Sequence, residues 1–490
     1  MKKLYFIVFA ITLAAGCEAF LDEKPQADIT RETTQTSELV SAYSSADDAQ
    51  LELNGAYAWL KCDMYESILF YIGECMSDNC YIGGDGISDE QFENMSVTAV
   101  NSEVTLLWAQ YYRALGTATS VIENVRLMPE DAISAEDRAR ITAEAKFLRA
   151  WLLFDIVRYW GAAPLSLELI PSITADNIDK WYPVMYPERS YVEDIYAQIL
   201  SDLDETTVAA LQSKSKGAFQ ATKGAAYGLL AKVYATMGPK AERNYTKVVD
   251  YCDLVMGEGY SLVENFDDLW TVSGKMSSES IFELYFSDAA EGHNWTYWVL
   301  LTDKSGSVEV SWRRYCCPSH DLVAKFDKEH DVRYASSIYW AKVPYDTYYP
   351  AGNYPLAYKV RQKESDIILL RLADIILLKA EALVELGRPD EAMKLVNRIR
   401  SRAHISALPE DLPVEKARLA VENERQLELF LEGHRWFDLL RNDRMEEVML
   451  QFHDKDGNLK FSEIPSWRRL LPVPQEQLDI NERLTQNEGY

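Results

Sequence analysis

Past its first sixteen residues the chain has no apolar run approaching the roughly 20 residues that a membrane-spanning helix needs, so no later segment is a candidate span. Positive charge is short as well: 50 Lys and Arg stand against 77 Asp and Glu, a formal net charge of −27. Such a field repels nucleic-acid phosphates and anionic headgroups, and it suits neutral or cationic ligands better. Histidine is sparse. His293, His320, His330, His404, His434 and His453 are scattered, with no His-Glu-x-x-His and no pairing with a Cys-x-x-Cys, which excludes the common zinc spacings. There is no Gly-x-Ser-x-Gly elbow, and Gly83-Gly84-Asp85-Gly86 lacks the Lys-Ser/Thr of a phosphate-binding loop. Cysteine is also scarce after Cys17. Cys75 and Cys80 are near enough in sequence to bridge across a loop, and Cys316-Cys317 is a vicinal pair. With Cys62 and Cys252 they read as buried thiols or one loop disulfide.

What is present is concentrated. Met1-Lys2-Lys3 is a short basic start, Leu4 to Ala15 is a nearly unbroken apolar run, and Leu13-Ala14-Ala15-Gly16-Cys17 closes it with small residues. The run has the length of a secretory core, about 7–15 residues. Leu-x-x-Gly-Cys resembles a bacterial lipobox, in which the cysteine is acylated and becomes the first mature residue. We therefore expect a signal peptide over 1–16, lipidation of Cys17, and a polar tether and extended arm over 17–45. Two or more acyl chains on one cysteine anchor stably where a single one does not.

From Ala46 helical spacing takes over, with Ala49, Leu53, Ala56 and Leu60 on one face. Helices are predicted over 105–128, 135–159, 191–211, 222–237, 245–256, 366–386, 390–402 and 414–441. Residues 71–104 read as loop. Between about 260 and 365 the periodicity fades and Trp and Tyr become dense. Lys379-Ala-Glu-Ala382 through Gly387 to Asp390-Glu391-Ala392, echoed by Ala226, Ala231, Tyr234 and Gly238, reads as tetratricopeptide-like helix pairs. The fold class is thus mainly α, a tetratricopeptide-like helical repeat scaffold carrying a large irregular, loop-rich insertion.

Glu424, Glu428 and Glu432 recur every four residues, with Arg425, Arg435 and Arg441 among them. The spacing predicts a buried charge network locking the last helices. A hydrolytic carboxylate pair would need a cleft as well. Asp454-Lys455-Asp456-Gly457-Asn458 looks calcium-like, but Phe452 stands where the first carboxylate would be, so a Gly-Asn turn is expected.

Several motifs in chain order resemble one family. Cys17-Glu-Ala-Phe20-Leu21-Asp22, Glu144 to Arg149 leading to Tyr159-Trp160-Gly161, and Thr222 to Tyr234 are three. Arg371 to Gly387 with Asn397-Arg398-Ile399-Arg400, and Glu432-Gly433-His434-Arg435-Trp436-Phe437-Asp438, are two more. Leu471-Pro472-Val473-Pro474 with Leu484 to Asn487 ends the series. Together they resemble SusD/RagB lipoproteins. The resemblance implies one SusD-like domain over 46–490, its helical scaffold at about 46–259 and 366–445 and its ligand-bearing insertion at about 260–365. It implies a non-enzymatic, outward-facing outer-membrane lipoprotein that binds oligosaccharide or polysaccharide and serves a SusC-like TonB-dependent transporter. Peptide capture is the alternative cargo, and a surface glycosidase the alternative class. No cofactor is implied, although some members bind calcium.

Sugars present flat C–H faces to aromatic rings and hydroxyls to amides and charged groups, so a site needs rigid rings beside polar side chains. Two regions fit: Asp78, Asn79 and Tyr81 in the early loop, and Trp295, Trp298, Trp312 and Arg313 in the insertion, with Tyr315 and Trp340 nearby. Tyr345, Tyr348, Tyr349 and Tyr354 read as a surface hairpin of lesser interest.

Overall fold

Helix α1 (Ala46–Ala58) opens with a capping box: the Ser45 hydroxyl accepts from the Asp48 N–H, and the Asp48 carboxylate accepts from the Ser45 N–H. Ala49, Leu53, Ala56 and Leu60 are buried, as their spacing predicts. The computed structural model describes residues 39–83, 86–214, 219–287, 292–293, 301–302, 308–309, 315–343, 348–349, 352–359 and 361–490. The leader and residues 17–38 of the arm lie outside the described residues.

Two long helices follow. The Asn101 side chain caps α2 (Ser102–Leu127), and Ser134 caps α3 (Ala135–Trp160), which ends at Gly161 with φ 68°. They pack on each other and α1 packs on both. Helix α4 (Val192–Asp202) is fastened to α3 by a forked ion pair, Arg149 to Asp202 at 2.8 and 2.6 Å. The predicted 191–211 helix stops there, because the Asp204 carboxylate accepts from the Thr207 N–H at 2.7 Å and caps a new short helix, Glu205–Ala210.

The repeat reading is realised in the second half. Helix α5 (Lys223–Thr236) pairs with α6 (Tyr245–Gly257), α6 packs on α7 (Leu372–Glu385), and α7 pairs with α8 (Pro389–Arg402). Gly387 takes φ 73° at the α7–α8 turn, and Pro389 occupies the first turn of α8. Helix α9 (Val414–Glu428) covers both. Stacked helix pairs of this kind bury a continuous core.

Among the described residues the strands are short and pair two by two, all antiparallel. They are β1 (Cys80–Tyr81), β2 (Ser280–Leu284), β3 (Leu301–Thr302), β4 (Val308–Glu309), β5 (Cys317–Pro318), β6 (Ile338–Lys342), β7 (Asn353–Ala357) and β8 (Ile367–Arg371). The pairs are β1–β5, β2–β8, β3–β4 and β6–β7.

Three expectations change. The predicted helix from Asp366 begins as strand β8, whose Ile-Ile-Leu-Leu run is buried throughout against β2. The helix predicted over 414–441 is two, α9 and Arg435–Arg441, interrupted where Leu431 and Gly433 take φ 62° and 77°. Residues 71–104 are not loop alone. Tyr71–Cys75 is a buried π-turn and Ile87–Glu93 a helix. The π-turn runs hard against the α9 interruption: a Cβ on Gly73 would lie 2.5 Å from the Gly433 backbone.

Candidate ligand-binding site

The carboxylates that could be taken for catalytic groups are saturated. Glu428 accepts from Arg371 at 2.6 Å and Arg333 at 3.1 Å and also pairs with Arg402. Arg371 places all five of its N–H donors, on Glu279, Glu428, Glu432 and the Glu428 carbonyl. Arg425 bridges Asp374 and Asp438, and Arg441 forks onto Glu381 at 2.8 Å twice. Burial alone would raise Glu428, but the Arg402, Arg371 and Arg333 guanidiniums outweigh it and hold the carboxyl well below the usual range. It has no proton to donate to a leaving group at neutral pH, as a glycosidic acid must. The sequence-based charge network is thus present, and it ties α7, α8 and α9 to β2 and β8.

The early-loop residues sit inside it. Asp78 receives a fork from Arg435 at 2.6 and 3.0 Å, together with Gln426 at 2.9 Å and Lys325 at 3.3 Å. Asn79 donates to Glu74 at 2.7 Å and accepts from Gln426 at 2.8 Å. Glu74 in turn accepts the Gly433 N–H at 2.8 Å, and burial pushes its carboxyl up to about 7. Tyr81 has 0% of its surface exposed; its ring stacks on Phe452 with centroids 5.7 Å apart, and its hydroxyl donates to the His453 carbonyl at 3.1 Å. Here the structure departs from the sequence reading. Asp78, Asn79 and Tyr81 fasten the loop to the C-terminal helices and present no surface to a ligand.

Trp295, Trp298, Trp312, Arg313 and Tyr345 lie outside the described residues. Of the neighbouring rings, Tyr315, Tyr349 and Tyr354 are buried, and Tyr348 is half-buried against Tyr81 at 5.6 Å. The β6–β7 hairpin exists, but its Tyr354 points into the core. Trp340 is half-buried and donates its indole N–H to Tyr334 at 2.6 Å.

A pocket of about 160 Å³ that the sequence reading missed lies between the end of α1 and β2. Phe219 and Tyr285, both half-buried with centroids 5.5 Å apart, form a wall, and Asn54, Tyr57, Lys61 and Gln220 border it. This is the ring-plus-amide chemistry a sugar face requires. The available signal was positional: Phe219 lies three residues before the α5 cap Thr222, and Tyr285 directly follows a strand.

Among the described residues no group of three or more His, Cys, Asp and Glu side chains is placed to hold a metal ion. The calcium-like stretch is a turn closed on Asp454, whose carboxylate accepts the N–H groups of Asp456 and Asn458 at 2.9 Å each, with Gly457 at φ 83°.

Comparison with known proteins places this architecture. Residues 19–235 match a family described as starch-binding and associating with the outer membrane, and residues 345–490 match the SusD family. A SusD-like protein of Formosa agariphila is 26% identical over 100% of this chain and 99% of its own. The chain belongs to the SusD family. The starch-binding protein SusD of Bacteroides thetaiotaomicron is 22% identical over 75% of this chain and 76% of its own. The surface glycan-binding protein A of Bacteroides uniformis superposes with a TM-score of 0.75 at 20% identity, over 90% of this chain and 99% of that one. The SusD fold is therefore the fold of this chain. Residues 236–344, between the two matched stretches, carry Trp295, Trp298, Trp312 and Arg313.

Proposed function

We propose that this SusD-family chain is exported, cleaved before Cys17 and held on the outer membrane by lipid on that cysteine. Facing outward, it binds an oligosaccharide without chemical turnover and passes it to a SusC-like TonB-dependent transporter. The observation that carries the reading is the pair of matches, over residues 19–235 and 345–490, to families described by starch binding at the outer membrane and by SusD. Supporting it, one relative is named a starch-binding protein, a structural neighbour is a surface glycan-binding protein, and another is a laminarin-binding SusD-like protein. The saturation of the α9 carboxylates favours binding over hydrolysis. In this reading Trp295, Trp298 and Trp312 supply the stacking platform with Arg313 beside them, and shape and hydrogen bonding alone select the ligand.

Retardation of the mature chain in gels containing plant, host or microbial polysaccharide tests the reading, with Trp295→Ala and Trp312→Ala run alongside. The expected result is a retarded band with at least one glycan, lost in either variant. No retardation across the panel overturns glycan capture. Retardation that survives both variants moves the platform elsewhere, first to Phe219 and Tyr285.

A further inference from the structure

All six cysteines beyond Cys17 are free thiols, and four of them gather at one place. β1 carries Cys80 and ends opposite β5, which carries Cys317; the register sets Cys80 against Pro318 and Tyr81 against Cys317. Cys75 closes the π-turn just before this pair, and Cys316 leads into β5 with φ 57°, its N–H held by the Ile82 carbonyl at 3.1 Å. The left-handed bend at Cys316 turns its side chain toward Cys75, and the two Sγ atoms lie 3.6 Å apart although the residues are 241 positions apart in sequence. The sequence left buried thiols or one loop disulfide open, with Cys75 and Cys80 near enough to bridge.

We propose that Cys75 and Cys316 are a disulfide-forming pair, a covalent cross-link between the early segment and the residue that leads into β5, midway through the insertion. The sulfurs must close from 3.6 Å to a bonded separation of about 2.05 Å, and the two segments are already held side by side by the β1–β5 pairing and the Cys316 N–H bond to the Ile82 carbonyl. The reaction needs a low-molecular-weight disulfide as oxidant. One protein thiolate attacks a sulfur of that disulfide and releases a small thiolate. The second protein thiolate then displaces the other half. One S–S bond forms as one breaks, two small thiols leave, and the protein loses two hydrogens. Both thiols are buried, at 0% and 3% exposure. Burial pushes Cys75 up, and the contact with Cys75 together with burial does the same for Cys316. Exchange therefore waits on local opening and runs on the order of minutes to hours.

The test uses the full chain, purified with a reductant, exchanged into oxidised glutathione, trapped by alkylation, digested and mapped by mass spectrometry. The expected product is a Cys75–Cys316 cross-linked peptide pair, reversed by dithiothreitol, with a melting temperature raised by roughly 3 °C. Cys316→Ala loses both the cross-link and the rise, and Cys80→Ala keeps both. Full alkylation of Cys75 and Cys316 after oxidation overturns the proposal. So does a Cys75–Cys80 linkage, or glutathione retained on either residue. The wild-type map decides even if a variant fails to fold.

Discussion

Around Glu428 three guanidiniums converge on one carboxylate, whereas around Phe219 and Tyr285 two half-buried rings stand beside an amide and an ammonium group with open space between them. Both places gather groups that chemistry uses. They differ in what is left unspent. In the first, the carboxylate's hydrogen-bonding capacity is consumed inside the protein, so its charge can only hold elements together. In the second, two ring faces border an open pocket.

The largest effect that would break this comparison is at Arg371. Arg371→Met leaves Glu279, Glu428 and Glu432 short of compensation in a dry interior and should cost about 4 kcal/mol or prevent folding, read by urea unfolding. Stability within about 1 kcal/mol of wild type would mean the network is no lock.

Asp78→Asn should cost about 3 kcal/mol, because the buried Arg435 guanidinium loses the charge of its forked partner and keeps only Glu422 at 3.4 Å. Glycan affinity, measured on the folded fraction, should be unchanged. Lost affinity at unchanged stability would return Asp78 to the ligand face.

The same lock fixes the response to acid. Burial works to raise Asp78, Glu428 and Asp438, but their arginines outweigh it and hold all three below the usual carboxylate range. Their folded pKa lies below the unfolded one, so their contribution is present above about pH 4 and lost below it. Burial holds His293 and His434 neutral down to about 3, and the unfolded chain protonates them earlier, which also favours unfolding in acid. Glu74, pushed up to about 7 by burial, acts oppositely between about pH 4 and 7 and offsets the histidines there. Calorimetry should show a shallow slope down to about pH 4, then a fall of roughly 5 °C or more in the next pH unit. A steady decline from pH 7 would mean that the histidines, not the ion network, set acid stability.

The smallest effect is at the open surface. Phe219→Ala should change stability by less than about 1 kcal/mol, since its ring is half-buried, and should weaken any glycan seated in the α1–β2 pocket about tenfold. Unchanged affinity would leave the Trp295–Trp312 region as the whole platform.

Much of this was legible. The α1 face, the α7–α8 turn at Gly387 and the charge network follow from spacing that is local in the chain. The interruption of α9 was not, because Leu431 takes a left-handed backbone that leucine rarely adopts, and the Gly433 backbone that follows is pressed against Gly73, far away in sequence. Strand β8 was hidden for a similar reason: its partner, Ser280–Leu284, lies far back in the chain, and an isolated Ile-Ile-Leu-Leu run fits a helix equally well. Asp78 and Asn79 look like ligand groups in sequence, because nothing nearby discloses that Arg435 and Gln426 will reach them. Trp295, Trp298 and Trp312 lie outside the described residues, and their part is a proposal.

Gly73 and Gly433 touch backbone to backbone, and beside them Glu74 accepts the Gly433 N–H across 359 positions of sequence. A chain synthesised from its N-terminus therefore exposes Tyr71–Cys75, apolar and without its mate, until almost the whole polypeptide has emerged. Contacts this distant slow folding and leave the unfinished chain sticky. Truncation just before residue 433 should therefore yield aggregate and not a smaller folded protein.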